Sequence, residues 1–182
     1  RVGCGNFGRR RDFETVDATN EVAREWAREA STPAPHGAAV SADEQTNGRG
    51  RRGRSWVSPA GKGVYLSTLW RPQIEASQLG RLTIVVALAA ARALEKISEL
   101  EIQTKWPNDI LVNGKKIGGV LCEAEWENGA LAFVIAGVGL NLNFEKVELP
   151  PRPIFPATSL KIETEKIFEI ESAREADQHT LE

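Results

Sequence analysis

The sequence contains no methionine in 182 residues, not even at position 1, so we expect a processed or partial chain. Cysteine is nearly missing. Cys4 and Cys122 cannot build a disulfide framework, and a reducing, cytoplasmic setting is expected. Histidine is as scarce, and His36 and His179 stand far apart, which leaves a His/Cys metal site almost without ligands. The most apolar stretch, 82–94, is largely bracketed by Arg81 and Arg92 and falls short of the ~20 residues of a membrane span. Arg9, Arg10 and Arg11 are followed by no apolar run, so no signal peptide opens the chain. Net charge is only −2, which argues against a protein that coats nucleic acid through its overall field.

What is present is ordinary globular chemistry, with 41% hydrophobic and 26% charged residues. The length suits one domain that buries roughly 70% of its unfolded surface. Residues 1–11 are rich in glycine and arginine and read as a disordered leader. A strand is expected over 12–16. A helix follows from the polar residues Asp17, Thr19 and Asn20, with Val22, Ala23, Trp26, Ala27 and Ala30 at helical spacing. Pro33 and Pro35 end it. Strands are expected at 37–42 and 64–70, with a loop over 43–63 between them. An alanine-rich helix over 76–100 comes next.

Beyond it the pattern turns to strands, the first at 102–106, stopped by Pro107. Asn113-Gly114 and Asn128-Gly129 each separate two apolar segments, which is the strongest short-range signal for a hairpin. Gly137, Gly139, Asn141 and Asn143 are expected to end the resulting meander. Residues 149–156 hold four prolines and read as a loop or linker. The stretch after Leu160 is charged and only weakly periodic. This order of elements argues for an α+β fold, one mixed or antiparallel sheet with helices on one face.

Four segments could carry chemistry. In Gly48-Arg-Gly-Arg-Arg-Gly-Arg-Ser-Trp56, four arginines fall within six residues among three glycines. Glycine lets backbone N–H groups close around an anion, and arginine adds paired donors for carboxylate or phosphate. An anion site, a solvated basic loop and a nucleic-acid contact remain open for this segment alone. Lys105-Trp-Pro-Asn-Asp109 puts Asn108 and Asp109 at a strand end, where a cleft or a plain turn would both use them. Gly118-Gly119, after the Lys115-Lys116 pair, interrupts an apolar strand, as glycine does where something approaches closely. Gly137-Val-Gly-Leu-Asn141 could meet a nucleotide or merely turn the chain. No Walker loop, dinucleotide fingerprint or local Ser/His pair is present.

Taken together and in order, these segments resemble the catalytic domain of biotin protein ligases, the biotin–[acetyl-CoA-carboxylase] ligases. The resemblance runs through Thr15-Val-Asp-Ala-Thr-Asn20, Gln45-Thr-Asn-Gly-Arg-Gly-Arg-Arg-Gly-Arg-Ser-Trp56, Gly61-Lys-Gly-Val-Tyr-Leu-Ser67, Lys105-Trp-Pro-Asn-Asp109, Lys116-Ile-Gly-Gly-Val-Leu121 and Gly137-Val-Gly-Leu-Asn141, over roughly residues 12–160. It implies the mixed sheet shared with class II aminoacyl-tRNA synthetases. It also implies a two-step reaction: biotin and ATP give biotinyl-5′-AMP, and a lysine of a biotin carboxyl carrier protein then takes the biotinyl group. Mg²⁺ would accompany the ATP phosphates.

The resemblance also assigns roles. Thr19, Asn20, Gln45, Arg49, Gly50, Arg51, Lys116, Gly118 and Gly119 would bind biotin. Arg51, Trp56, Asn108, Lys116 and Asn141 would meet the nucleotide, and Asp109 the metal. Arg51 and Lys116 would act on the reacting groups. The chain departs from the family at Ala18, where serine is usual, and at Asn47, where a small residue is usual. The catalytic domain would cover 12–182 and be cut short at its C-terminus. A winged-helix domain, an SH3-like domain, DNA binding and a membrane are not expected, and a homodimer is left open. A lipoate–protein ligase of the same fold, a non-catalytic nucleic-acid module and an inactive remnant are the competing readings.

Overall fold

A computed structural model describes residues 9–150 and 156–180. Its elements are β1 (Arg10–Val16), α1 (Thr19–Ala27), β2 (Ala39–Gln45), β3 (Gly63–Trp70), α2 (Leu79–Ser98), β4 (Gln103–Lys105), β5 (Asp109–Val112), β6 (Lys115–Glu127), β7 (Ala130–Asn141), α3 (Leu160–Thr164) and α4 (Ile170–Thr180). The strands form one sheet in the order β1-β2-β3-β7-β6-β5-β4. Among the described strands, only β1 and β2, joined through α1, pair in parallel. The other neighbours are antiparallel, so the sheet is mixed, as expected.

Both Asn-Gly turns adopt the backbone that their residues favour. Asn113 and Gly114 have φ of 49° and 71°, and Asn128 and Gly129 have φ of 50° and 79°. Two positive φ values in a row give the turn whose twist matches its flanking strands. The strands they join run longer than expected. β6 passes straight through Gly118 and Gly119, and β7 continues through Gly137 and Gly139 to Asn141. These glycines thin the sheet rather than end it, for the steric reason given below.

Side chains divide between the two faces by the period of two. On one face Val64, Leu66, Val120, Ala136, Val138 and Leu140 meet Val86, Ala90 and Leu94 of α2. The alanines of α2 let that helix lie close to the sheet. Ala76–Ser98 is, by length and composition, a stretch that could cross a membrane. Here its Val86, Ala90 and Leu94 are fully buried in the core, while Ile84, Val85 and Leu88 on the other side are exposed. On the opposite face Val40, Leu69, Phe133 and Ile135 pack against Ala23, Trp26 and Ala27 of α1. The expectation of helices on one face therefore holds for α2 and α4 but not for α1.

Two expectations at the ends change. The leader expected over 1–11 falls mostly on residues outside those described, but Arg10 and Arg11 belong to β1, which starts two residues earlier than expected. Arg10 pairs with Asp12 at 2.6 Å and with Glu171 at 2.7 Å, and the Arg11 guanidinium lies 4.2 Å from the Trp26 ring. The charged stretch after Leu160 forms α3 and α4 rather than failing to supply a helix. α4 anchors by a polar route that periodicity does not show. Buried Arg174 donates to the Ala42 carbonyl at 2.7 Å and to Asp43 Oδ1 at 2.8 Å.

Among the described residues, the cluster of buried apolar side chains that includes α2 is larger than the one around α1. Leu94→Ala is expected to lose about 2–5 kcal/mol, the usual cost of a cavity at a buried leucine. Urea unfolding followed by far-UV circular dichroism measures it; a loss well under about 1 kcal/mol would mean that α2 is not the core helix.

Candidate active site

On the α1 face, between the start of α1, strands β6 and β7 and the loop after β2, lies a cavity of about 400 Å³. Its floor is β7. A Cβ on Gly137 would stand 2.3 Å from Asn20 Oδ1, and one on Gly139 2.6 Å from the Trp56 ring. Those alternate positions must be glycine for Asn20 and Trp56 to reach the sheet. Here is the close approach that the Gly-x-Gly pattern marks.

The deep end of the cavity is polar and neutral. Ala18 precedes α1 and gives it no side-chain cap. Gln45 supplies one instead: its Oε1 accepts from the Thr19 N–H at 2.9 Å and from Thr19 Oγ1 at 3.1 Å. Gln45 Nε2 in turn donates to Ser58 Oγ at 2.8 Å. Ser67, buried on β3, sets its hydroxyl 2.7 Å from Thr19 Oγ1 and 2.6 Å from Asn20 Oδ1. Asn20 Nδ2 donates to Glu123 Oε2 at 2.7 Å. Each polar group near α1 is thus oriented by another, so the site is set before any ligand arrives.

The mouth is cationic. The loop folds back on itself, with Trp56 N–H donating to the Gly48 carbonyl at 2.7 Å and Gly50 N–H to the Arg54 carbonyl at 2.6 Å. Its tip turns through Arg52 and Gly53, both at positive φ. Arg49, Arg51, Arg52 and Arg54 all line the cavity, and Lys116 faces them from β6. Asp109 is the one carboxylate among the lining residues. Lys116 Nζ forms an ion pair with Asp109 Oδ1 and lies 5.6 Å from the Trp56 ring centroid, within cation–π range. Arg51 reaches Asn108 Oδ1 at 3.4 Å, and Asn108 is tied to β6 through its Nδ2 on the Val120 carbonyl at 2.9 Å.

Lys116 is held from both sides of its backbone. Its N–H donates to the Pro156 carbonyl at 2.8 Å, and its carbonyl accepts from the Thr158 N–H at 2.9 Å. A register shift between β5 and β6 falls beside it, the kind of bulge that re-aims a side chain next to a site. Glu163 of α3 locks this splice, accepting from Thr158 Oγ1 at 2.5 Å and from Asn113 Nδ2 and Lys115 Nζ at 2.9 Å each.

Most residues named from the sequence meet here. Thr19, Asn20, Gln45, Arg49, Gly50, Arg51, Trp56, Asn108, Asp109, Lys116 and Gly119 all line the cavity. Two do not. Gly118 turns to the other face of the sheet, where a Cβ would strike Leu140 and the Gly139 carbonyl. Asn141 is buried and donates to the Thr158 carbonyl at 3.0 Å, beside a smaller hollow that also borders Trp56 and Lys116. Sequence reasoning missed Trp106, which is 80% exposed at the rim, and Ser67 and Glu123, which orient the lining side chains. Trp106 stands inside the Lys105–Asp109 motif and could have been taken from it. Ser67 and Glu123 carry no local signal.

Comparison with known proteins agrees with this geometry. The sequence profile of the biotin/lipoate A/B protein ligase family matches residues 13–141. The chain belongs to that family. It is 39% identical over 147 residues to the bifunctional ligase/repressor BirA of Bacillus subtilis, a match that covers 81% of this chain and 44% of that protein. It is 42% identical over 131 residues to the biotin–[acetyl-CoA-carboxylase] ligase of Paracoccus denitrificans, covering 70% of this chain and 52% of that one. The chain thus spans about half the length of these relatives. The structure of the Aquifex aeolicus biotin protein ligase in complex with biotin and ATP superposes with a TM-score of 0.77 at 34% identity, covering 95% of this chain and 68% of the other.

The Glu163 splice yields a pH prediction. Burial raises this carboxyl's pKa, but hydrogen bonds from Thr158, Asn113 and Lys115 outweigh it and hold the group below its ordinary 4.5. A depressed folded pKa gives stability that is present above the unfolded value and lost as pH falls through the folded one. The wild-type melting temperature is therefore expected to drop below the ordinary carboxylate range by a step that Glu163→Gln lacks. Thermal unfolding by circular dichroism from about pH 7 down to about pH 3 checks it, and parallel curves for the two proteins would refute it.

Proposed function

We propose that this chain carries the catalytic core of an ATP-dependent biotin protein ligase. The observation that supports it most is the polarity of the cavity: a neutral, hydrogen-bonding deep end and a mouth lined by five cations and one carboxylate. A ligand with an uncharged polar head and an anionic tail fits that gradient, and biotin is such a molecule. Its ureido group needs both a donor and an acceptor, which Thr19, Asn20 and Gln45 supply. The dithiolane of lipoate has no hydrogen-bonding group to use them, so the lipoate reading is the weaker one. The basic loop folds toward the cavity, with Arg49 held by Glu21 and Glu123 and Arg51 by Asn108. That arrangement weakens the reading as a nucleic-acid surface.

In this mechanism the biotin carboxylate attacks the α-phosphorus of ATP, forming biotinyl-5′-AMP and releasing pyrophosphate. Both reactants are anionic, so their approach is opposed until fixed cations neutralise them and hold them in line. In this reading Lys116 and Arg51 do so, and Trp56 and Asn108, which line the same cavity, would border the nucleoside. A lysine of a biotin carboxyl carrier protein then attacks the mixed anhydride and displaces AMP. The loop carrying Arg51–Gly53 would keep water from the intermediate. Asp109 offers a single carboxylate oxygen set, and no cluster of three metal-ligating side chains exists among the described residues. That donor set suits Mg²⁺ delivered on the ATP phosphates rather than a resident metal. The reaction needs a compartment that supplies ATP and carrier protein, and the cytoplasm is the one we propose.

Biotin-dependent exchange of pyrophosphate into ATP, followed by biotin transfer to a carrier domain, tests the reading. Exchange with lipoate and none with biotin would overturn it. Lys116→Ala is expected to lower biotin-dependent exchange by about 100-fold or more, the scale on which fixed charge stabilisation works. The circular dichroism spectrum should stay unchanged. Full activity in that variant would remove Lys116 from its role.

A further inference from the structure

We propose that Glu123 is a positioning residue that couples the deep end of the cavity to the basic loop. The role rests on the biotin reading above. Glu123 lies on β6 behind the lining of the cavity, with a quarter of its side chain exposed. A single oxygen, Oε2, lies 2.7 Å from Asn20 Nδ2, 3.3 Å from Arg24 Nη2 and 3.4 Å from Arg49 Nη2. One carboxylate oxygen thus joins a side chain of the deep end, the body of α1 and the first arginine of the loop.

The surrounding charges alternate so that neither arginine is left alone. Arg24 also pairs with Glu21 at 2.5 Å and with Glu125 at 2.6 Å, and Arg49 also pairs with Glu21. These contacts hold Arg49 through Nη2. Its Nε is buried and has no hydrogen-bond partner among the described residues. The loop is therefore pinned at residue 49, while Arg51, Arg52 and Arg54 beyond it stay exposed at the mouth. A loop pinned at its root can order over a ligand without giving up its place beside Asn20.

Removing the charge at 123 has two consequences at once. Asn20 exchanges a charged acceptor for a neutral one that no longer fixes its amide as firmly, and the loop keeps only Glu21 as the carboxylate on Arg49. Arg51 is held by Asn108 and Lys116 by Asp109, so the phosphate end should be little affected. Glu123→Gln is tested in the full chain against wild type by calorimetric biotin titration, by the KM for biotin and for ATP in pyrophosphate exchange, and by the rate of tryptic cutting after residues 51, 52 and 54. The expected result is about tenfold weaker biotin binding, as for loss of a charged hydrogen bond, with the KM for ATP within about twofold and faster loop cutting.

A wild-type chain that takes up no biotin overturns the reading of the pocket and this role with it. If wild type binds biotin and the variant binds it equally well, Glu123 loses its role and the ligase reading stands. The same holds if both KM values rise together, which is the mark of a general structural loss. Where Glu123→Gln does not fold, Arg49→Met replaces it and is expected to give the same faster cutting and weaker biotin binding. No change in either would overturn the proposal.

Discussion

Asn20 and Trp56 rest on β7 where side chains would otherwise stand, and the whole site depends on that steric constraint. With a methyl group at Gly137 or Gly139, contacts of 2.3 and 2.6 Å would force Asn20 or Trp56 away from the sheet. Asn20 carries the hydrogen bonds that orient Ser67 and meet Glu123, and Trp56 is the surface over which Lys116 lies. Displacing either would disturb the neutral end or the cationic end of the cavity. Two missing side chains in one strand therefore set both the volume of the site and the placement of its chemistry. The weakening that glycine brings to a strand is offset by ladders to β3 and β6 on both edges of β7.

Charge is the second organising term, and it works locally. The chain carries a net charge of only −2, yet five cationic side chains gather around one cavity. Guanidinium groups so close repel one another, and carboxylates offset the charge of two of the five cations, Arg49 and Lys116. Glu21 and Glu123 hold Arg49 from outside the cavity, and Asp109 holds Lys116 at its edge. Held this way, Arg49 and Lys116 keep their positions while the field of the basic loop still points into the cavity.

Much of this was legible in the sequence because it is local. The Asn-Gly pairs announce their turns, the spacing of Ala23, Trp26 and Ala27 announces α1, and the glycine–arginine run, read in order with Lys105–Asp109 and Lys116, announces the residues that line the cationic mouth. The strand ends were misjudged for a physical reason. Glycine weakens an isolated strand, and nothing near Gly137 or Gly139 in sequence shows that Asn20 and Trp56 will fill the gap. Gly118 looked like Gly119 in the motif, yet the period of two sends it to the other face. α4 was missed because Arg174, a residue that ordinarily marks an exposed face, is its buried anchor. Glu123 and Ser67 acquire their meaning only from partners about 50 to 100 residues away.

The position of Lys116 shows how far such non-local control extends. A lysine at the start of a strand, next to a two-residue turn, would ordinarily be a flexible, solvated side chain. Here its side chain is 12% exposed and its backbone is paired on both sides with 156–158, a segment that follows a proline-rich stretch more than 30 residues on. Proline cannot donate a hydrogen bond, but its carbonyl can accept one, and Pro156 does so from Lys116. Glu163 then closes the arrangement by binding Thr158 from one side and the Asn113–Lys115 turn from the other. Lys116 is thus fixed by the region after the sheet is complete. The short helix α3 belongs to the site as much as the motifs that line it.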